Sequence, residues 1–400
     1  MNEKKLIEIE EKYGAHNYKP LDIVIKKGKG VWVWDINGKK YMDFLAAYSA
    51  LNQGHCHPRL LNAAVKQMNK VTLTSRAFRN DQLPLLYLEL HKLTGFDKIL
   101  PMNSGAEAVE TAIKAIRKWA FVKKGIPENK AEVVAFTNNF HGRTITIISF
   151  STDQQYRKGF GPFTSGFKIA EYNNLNSLKK AINRNTAAVL MEPVQGEAGV
   201  IIPDKDYLKS VREICSKQKI LMILDEIQSG FGRTGKLFAY QHSGIKPDGI
   251  IIGKALAGGF YPVSAFLTSK EVMDVFNPGD HGSTFGGNPL AAALAREALK
   301  IIKEEKLPEN AAKLGKYALA RLKEIKNSNI KEVRGIGLWL AIELKKGGTV
   351  ARKYCEKLKD QGLLCKEAHE YIIRFAPPLI ITKKELDWAL KKIELCFASA

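Results

Sequence analysis

The middle of the chain alternates short, largely apolar runs with amphipathic stretches. Residues 132–136, 186–191, 220–224 and 250–252 are too short for helices and are bounded by charge or glycine. Strands buried on both faces have this pattern. Residues 99–102 form a further short strand. Between the strands lie helical stretches such as 207–217 and the run that opens after Met102. In that run Ala106, Val109, Ile113, Ile116 and Ala120 recur at three- to four-residue spacing, which gives one buried stripe. Strand and helix alternate in this way to about residue 285, which predicts an α/β fold with a wound, mostly parallel sheet.

The two ends have different patterns. The chain begins with a helix of mixed acidic and basic residues, then an extended piece. VWVWDINGKKYMDF follows, alternating about Asn37-Gly38 as a β-hairpin with a type I′ turn would. LAAYSALNQGHCHPRL is loop-like and leads to a helix near Pro58. From Asn288 onward, 289–305 and 308–326 form long amphipathic helices, and EVRGIGLWLAIEL is a strand-like run. A helix at 349–360, short strands around Leu364 and at 371–375, and a last helix from Thr382 complete the chain. These switches predict an N-terminal segment (1–50), a large domain (51–287) and a smaller α/β C-terminal domain (288–400).

Composition narrows the function classes. Four hundred residues, 45% hydrophobic and 26% charged, describe an ordinary soluble globular protein with ample core. No apolar run approaches the ~20 residues that span a bilayer. The first residues hold acids and no apolar core, so neither a secretory signal nor a transit peptide is expected. Cys56, Cys215, Cys355, Cys365 and Cys396 are scattered and form no CxxC, which predicts reduced thiols and a cytoplasmic setting. The net charge of +21 invites a nucleic-acid reading. The lysines are interleaved with acids, however, and no base-reading motif is present, so neither nucleic acid nor membrane is an expected partner.

The strand ends carry the candidate chemistry. One apolar run delivers Asp225 and then Gln228; the next delivers Lys254 just past Gly253. Ligands of open α/β sheets bind outside the carboxyl ends of the strands, so an acid and an amine there can meet one ligand. A pyridoxal phosphate ring suits both: Lys254 would form a Schiff base and Asp225 would keep the ring nitrogen protonated. Alone, either residue is as well explained by a loop cap or a solvated amine. Ser104 and Glu107 form a capping box at a helix start where Gly105 leaves room for a phosphate. Two rival signals are weaker. Gly230, Gly232 and Gly235 spell GxGxxG, and Gly235-Lys236 completes GxxxxGK, but Leu237 stands where a nucleotide loop needs Ser or Thr, so a surface turn is expected. His55-Cys56-His57 has no second cluster at ligand spacing, so no metal is expected.

DEIQSGFGRTG, IIIGKALAGG, HGSTFGGNP and EPVQGEAGV together resemble the class III pyridoxal-phosphate-dependent aminotransferases, of fold type I. The likeness runs from YGAHNY to IIRFAPPL, essentially the whole chain. It implies that Lys254 carries the cofactor, Asp225 partners its ring nitrogen, Gln228 its phenolic oxygen, and Phe140 its ring face. Gly105 and Ala106 would take the phosphate, joined by Thr284 from a neighbouring subunit, which implies a homodimer with shared active sites; Ser283 would also bind the cofactor, and the N-terminal segment (1–50) would pack with the small domain. On the substrate side Tyr18, Tyr48, Arg143, Glu197 and Arg374 match the members that move the δ-amine of L-ornithine to 2-oxoglutarate. In them Tyr18 binds the α-amine, Arg143 the α-carboxylate, and Glu197 masks Arg374 until a dicarboxylate arrives. Relatives acting on N-acetylornithine or 4-aminobutyrate match less well. His141 stands where some members carry Trp; the difference is expected to alter packing beside the cofactor and to leave the proposed catalytic roles unchanged.

Overall fold

The computed structural model describes residues 1–398. After a first helix (Glu3–Tyr13), β1 (Ile25–Lys29), β2 (Trp32–Asp35) and β3 (Lys40–Asp43) form an antiparallel meander. The hairpin between β2 and β3 is present, but its turn differs from the expected type I′. Only Gly38 has positive φ (86°); Gly38 N–H donates to Asp35 O, and the Asp35 carboxylate accepts the N–H groups of Asn37 and Lys39. The aspartate side chain closes the loop, so Asn37 never needs the left-handed region.

The central sheet contains β4 (Lys98–Met102), β5 (Glu132–Phe136), β6 (Phe167–Ala170), β7 (Thr186–Met191), β8 (Leu221–Asp225), β9 (Gly249–Ile252) and β10 (Ser264–Thr268). Their spatial order is β4-β10-β9-β8-β7-β5-β6. Only β10 runs antiparallel to its neighbours. β7, β8 and β9 are buried at every position. Their side chains alternate between two cores: Met222 and Leu224 face one, Leu221 and Ile223 the other. The helix Gly105–Val122 lays Val109, Ile113, Ile116 and Ala120 into the second core. Each such fully buried aliphatic side chain contributes roughly 1.5–3 kcal/mol.

The C-terminal region adds β11 (Ile330–Ile336), β12 (Trp339–Leu344), β13 (Leu363–Leu364), β14 (Lys366–Ala368) and β15 (Ile372–Phe375). Four of these make an antiparallel sheet, β11-β12-β15-β14; β13 instead pairs in parallel with β3 and ties the chain's two ends together. The run EVRGIGLWLAIEL is thus a hairpin rather than one strand. It folds at Gly337, whose φ is +58° and where a Cβ would lie 2.5 Å from Arg233 O. No residue but glycine fits there.

The GFGRT segment corrects a second expectation, because it is buried rather than a surface turn. Arg233 is fully buried and donates to the carbonyls of Leu338 (2.8 Å) and Pro377 (2.7 Å) and to Asn52 Oδ1 (2.6 Å). Its glycines let the chain pass between other segments.

Candidate active site

The carboxyl ends of β4, β5, β7, β8 and β9 surround a cavity of about 200 Å³. Gly105, Ala106, Phe140, Asp225, Gln228 and Lys254 all contribute to its lining. Asp225 is the last residue of β8; Lys254 follows β9 after one extended glycine and takes a left-handed backbone (φ 46°). The Lys254 amine has no hydrogen-bond partner among the described residues. Burial lowers its basicity, while the nearby Glu197 and Asp225 carboxylates partly restore it.

Asp225 is held from behind. Its Oδ1 accepts the Ile227 N–H (3.0 Å), and its Oδ2 lies 2.7 Å from His141 Nδ1. A carboxylate can only accept, so the imidazole carries the proton at Nδ1. Burial pulls the His141 pKa down, but the bond and charge of Asp225, with Glu192 beyond, outweigh it and raise it. His141, expected to alter packing beside the cofactor, is in direct contact with Asp225. His141 Nε2 is buried without a partner. Glu192, just past β7, accepts the N–H groups of Phe140 (2.9 Å) and Gly196 (3.2 Å) and so ties the Phe140 loop to the sheet. Burial pushes its carboxyl up to about 7 against the pull of His141.

At the other end of the cavity, Ser104 and Glu107 form the expected capping box. The N–H groups of Gly105 and Ala106 have no acceptor among the described residues. Ser283 and Thr284 are not in the lining: Ser283 Oγ accepts from Asn103 Nδ2 (2.9 Å), and Thr284 is exposed.

On the substrate side the two arginines stand in different surroundings. Arg374, on β15, is 1% exposed and donates to Glu197 Oε1 at 2.8 Å. Gln228 Nε2 donates to the same oxygen at 2.9 Å. Burial alone would raise the Glu197 carboxyl, but Arg374, Lys254 and these bonds hold it at about 2. Arg143 has no carboxylate partner among the described residues. Its guanidinium lies over the rings of Tyr156 (4.7 Å), Phe140 (5.7 Å) and Tyr18 (5.9 Å) and lines a neighbouring cavity of about 330 Å³. Tyr18 itself is 64% exposed.

Tyr48 is 5.1 Å from the Arg374 guanidinium carbon. It belongs to a turn, Ala46–Ser49, in which all four residues have positive φ, between 47° and 69°. For residues with a Cβ this conformation costs roughly 1–2 kcal/mol each. Sequence patterning gives no sign of it.

Three residues of this site were not anticipated from sequence: His141 as the partner of Asp225, Glu192 and Tyr156. Glu192 had a signal, because it ends an apolar run as Asp225 does. Tyr156 had none, since a tyrosine in a polar loop resembles any surface aromatic.

The family model described as aminotransferase class-III matches residues 13–397. An ornithine aminotransferase of Brevibacillus brevis is 56% identical over 389 residues, 97% of each chain. The solved structure of the ornithine aminotransferase from Toxoplasma gondii, with PLP at partial occupancy in its active site, superposes with a TM-score of 0.98 at 44% identity; it covers all of this chain and 94% of its own. An acetylornithine aminotransferase from Elizabethkingia anophelis superposes over the full length of both chains with a TM-score of 0.91 at 46% identity.

Proposed function

The chain belongs to the class-III aminotransferases, and from that premise we propose that it transfers the δ-amino group of L-ornithine to 2-oxoglutarate, giving glutamate-5-semialdehyde and glutamate. The cavity fits the family's cofactor, pyridoxal phosphate. It offers an unpartnered amine at Lys254, a carboxylate at Asp225, and free N–H groups at the positive end of a helix for the phosphate. When bound, the cofactor supplies an electron sink for the carbon that bears the reacting amine.

The protein's own groups do the rest. Lys254 Nζ removes a proton from the substrate's δ-carbon as general base and later returns one as general acid; its burial suits an amine that must shed its proton near neutral pH. Asp225, braced by His141, holds negative charge at the ring nitrogen. Phe140 would cover one ring face, and Gln228 would bond the phenolic oxygen. Arg143 takes the α-carboxylate through paired hydrogen bonds, with Tyr18 at the α-amine and Tyr48 beside it. This leaves the δ-amine facing Lys254. Glu197 neutralises Arg374 while ornithine is bound and releases it when a dicarboxylate needs both guanidinium groups.

Ser283 and Thr284 complete the phosphate site of a second copy in a homodimer. Leu61, Val65 and Met68 on one helix and Leu85 and Leu88 on another remain exposed, and both helices pack on Pro289–Glu304. Apolar surface of this kind suits a second subunit. The scattered free thiols, with no helix among the described residues long and apolar enough to cross a membrane, favour a cytoplasmic enzyme of arginine and proline metabolism.

One observation carries the choice of substrate: a carboxylate-masked Arg374 stands beside an unmasked Arg143. Single-turnover kinetics of the holoenzyme with ornithine and with glutamate test it. Lys254→Ala is expected to abolish both half-reactions and the cofactor's lysine-linked absorbance. A wild-type protein that reacts with N-acetylornithine or 4-aminobutyrate faster than with ornithine would reject the assignment.

A further inference from the structure

We propose that Asp43, braced by His55, is a positioning residue for substrate recognition: it holds the left-handed turn Ala46–Ser49 and thereby fixes Tyr48 against Arg374. The proposal rests on the reading above that Tyr48, Arg374 and Glu197 face the substrate. A run of four such residues does not persist unless its surroundings over-determine it. Asp43 supplies the constraint at the start of the run. Its Oδ1 accepts the N–H groups of Leu45 (2.8 Å) and Ala46 (2.9 Å), the two residues that lead into the turn.

The carboxylate has little freedom of its own. Asp43 ends β3, its N–H bonds Val31 O, and it is in register with Leu364 of β13. Its second oxygen, Oδ2, lies 2.7 Å from His55 Nε2. His55 in turn exchanges backbone hydrogen bonds with Gly30 (2.9 and 2.8 Å). Its imidazole lies against Gly28, where a Cβ would come within 2.9 Å of the ring. Beyond the turn, Asn52 bonds Phe231 O and receives the Leu379 N–H, and Gln53 donates to Ala255 O, the carbonyl after Lys254. The segment is therefore clamped at both ends, and Tyr48 stands at its apex.

The phenol ring lies against the Arg374 guanidinium and so favours the arrangement in which Arg374 stays with Glu197. Releasing the turn should loosen that pair. A substrate with one carboxylate, which needs Arg374 masked, should then suffer more than one with two.

Asp43→Ala, Asp43→Asn, Tyr48→Ala and the Asp43→Ala/Tyr48→Ala double variant are compared as holoenzymes in both half-reactions, with thermal midpoints measured alongside. Asp43→Ala should slow the ornithine half-reaction about tenfold or more while the glutamate half-reaction stays within about threefold. Asp43→Asn, which retains an acceptor for Leu45 and Ala46, should recover most of the loss. In the Tyr48→Ala background Asp43→Ala should change the substrate preference no further. Equal losses in both half-reactions, or additive losses in the double variant, would overturn the proposal. If Tyr48→Ala alone leaves the preference unchanged, the reading of Tyr48 as a substrate contact fails and the proposal falls with it. Should Asp43→Ala not fold, His55→Phe removes only the brace; a selective loss of about threefold is expected, and no selective loss rejects the idea.

Discussion

In the function proposed above, Arg374 and Arg143 serve the same group, a carboxylate, and their surroundings differ in opposite ways. Arg374 is deep in a strand, bonded to Glu197, Gly196 O and Gln228 Oε1. Arg143 lies on an exposed loop with no carboxylate partner among the described residues, and aromatic rings surround it. A guanidinium already paired to a carboxylate is unavailable until the pair opens, whereas one supported by ring faces keeps its donors free. One subsite is thus conditional and the other constant. A ping-pong enzyme that alternates between a one-carboxylate and a two-carboxylate substrate needs one of each.

That contrast can be broken most forcefully at the constant subsite. Arg143→Ala should lower kcat/KM by two to three orders of magnitude for ornithine and for glutamate alike, as expected when a paired, charge-assisted contact is lost. It should leave a diamine without a carboxylate, such as 1,4-diaminobutane, within a few-fold of wild type. Steady-state kinetics with the three amines checks this.

Next comes the mask. Glu197→Gln should slow the ornithine half-reaction about ten- to a hundredfold and leave the glutamate half-reaction unchanged or faster, read in single turnovers; equal losses would remove the gate from the account. The same variant sharpens the comparison through pH. The folded Glu197 carboxyl is depressed to about 2 from an ordinary value of 4.5. Its contribution to stability is therefore fully present above about 4.5 and is lost as pH falls toward about 2. In acid thermal melts, Glu197→Gln should show a shallower decline across that window than wild type.

The smallest effect belongs to the ring beneath the constant arginine. Tyr156→Phe keeps the ring face under Arg143 and should raise KM for ornithine by no more than about threefold, with kcat unchanged. Tyr156→Leu, which removes the face, should raise it further. If the two variants behave alike, the ring contributes nothing to holding Arg143.

The two halves of the site were also unequally legible in the sequence. Asp225, Lys254, Gly105 and Ala106 follow from local rules, because each ends an apolar run or begins a capped helix and the sheet must bring such ends to one edge. Position relative to the nearest strand is enough to find them. Tyr48, Arg374 and Glu197 come from three distant segments, and no local pattern says that they meet. Family resemblance supplied their names; the fold supplied their distances. His141 shows the limit of resemblance, since a position that varies in the family turns out to touch Asp225. The Ala46–Ser49 turn was invisible for a physical reason: its residues have no preference for positive φ, and only the tertiary contacts of Asp43 make that backbone tolerable. The expected surface turn at Gly230–Gly235 failed for a similar reason, because burial of Arg233 depends on carbonyls contributed from more than a hundred residues downstream.

The pairing of β3 with β13 bears on how the molecule is made. Those strands are some 320 residues apart, and a contact that distant closes slowly, at a large cost in loop entropy. On the ribosome, Gly105, Asp225 and Lys254 have all emerged before Leu363 is translated, so the vitamin-binding half of the pocket can mature on a nascent chain. The part of the pocket built around Arg374 forms later, because β15 follows β13 in the chain.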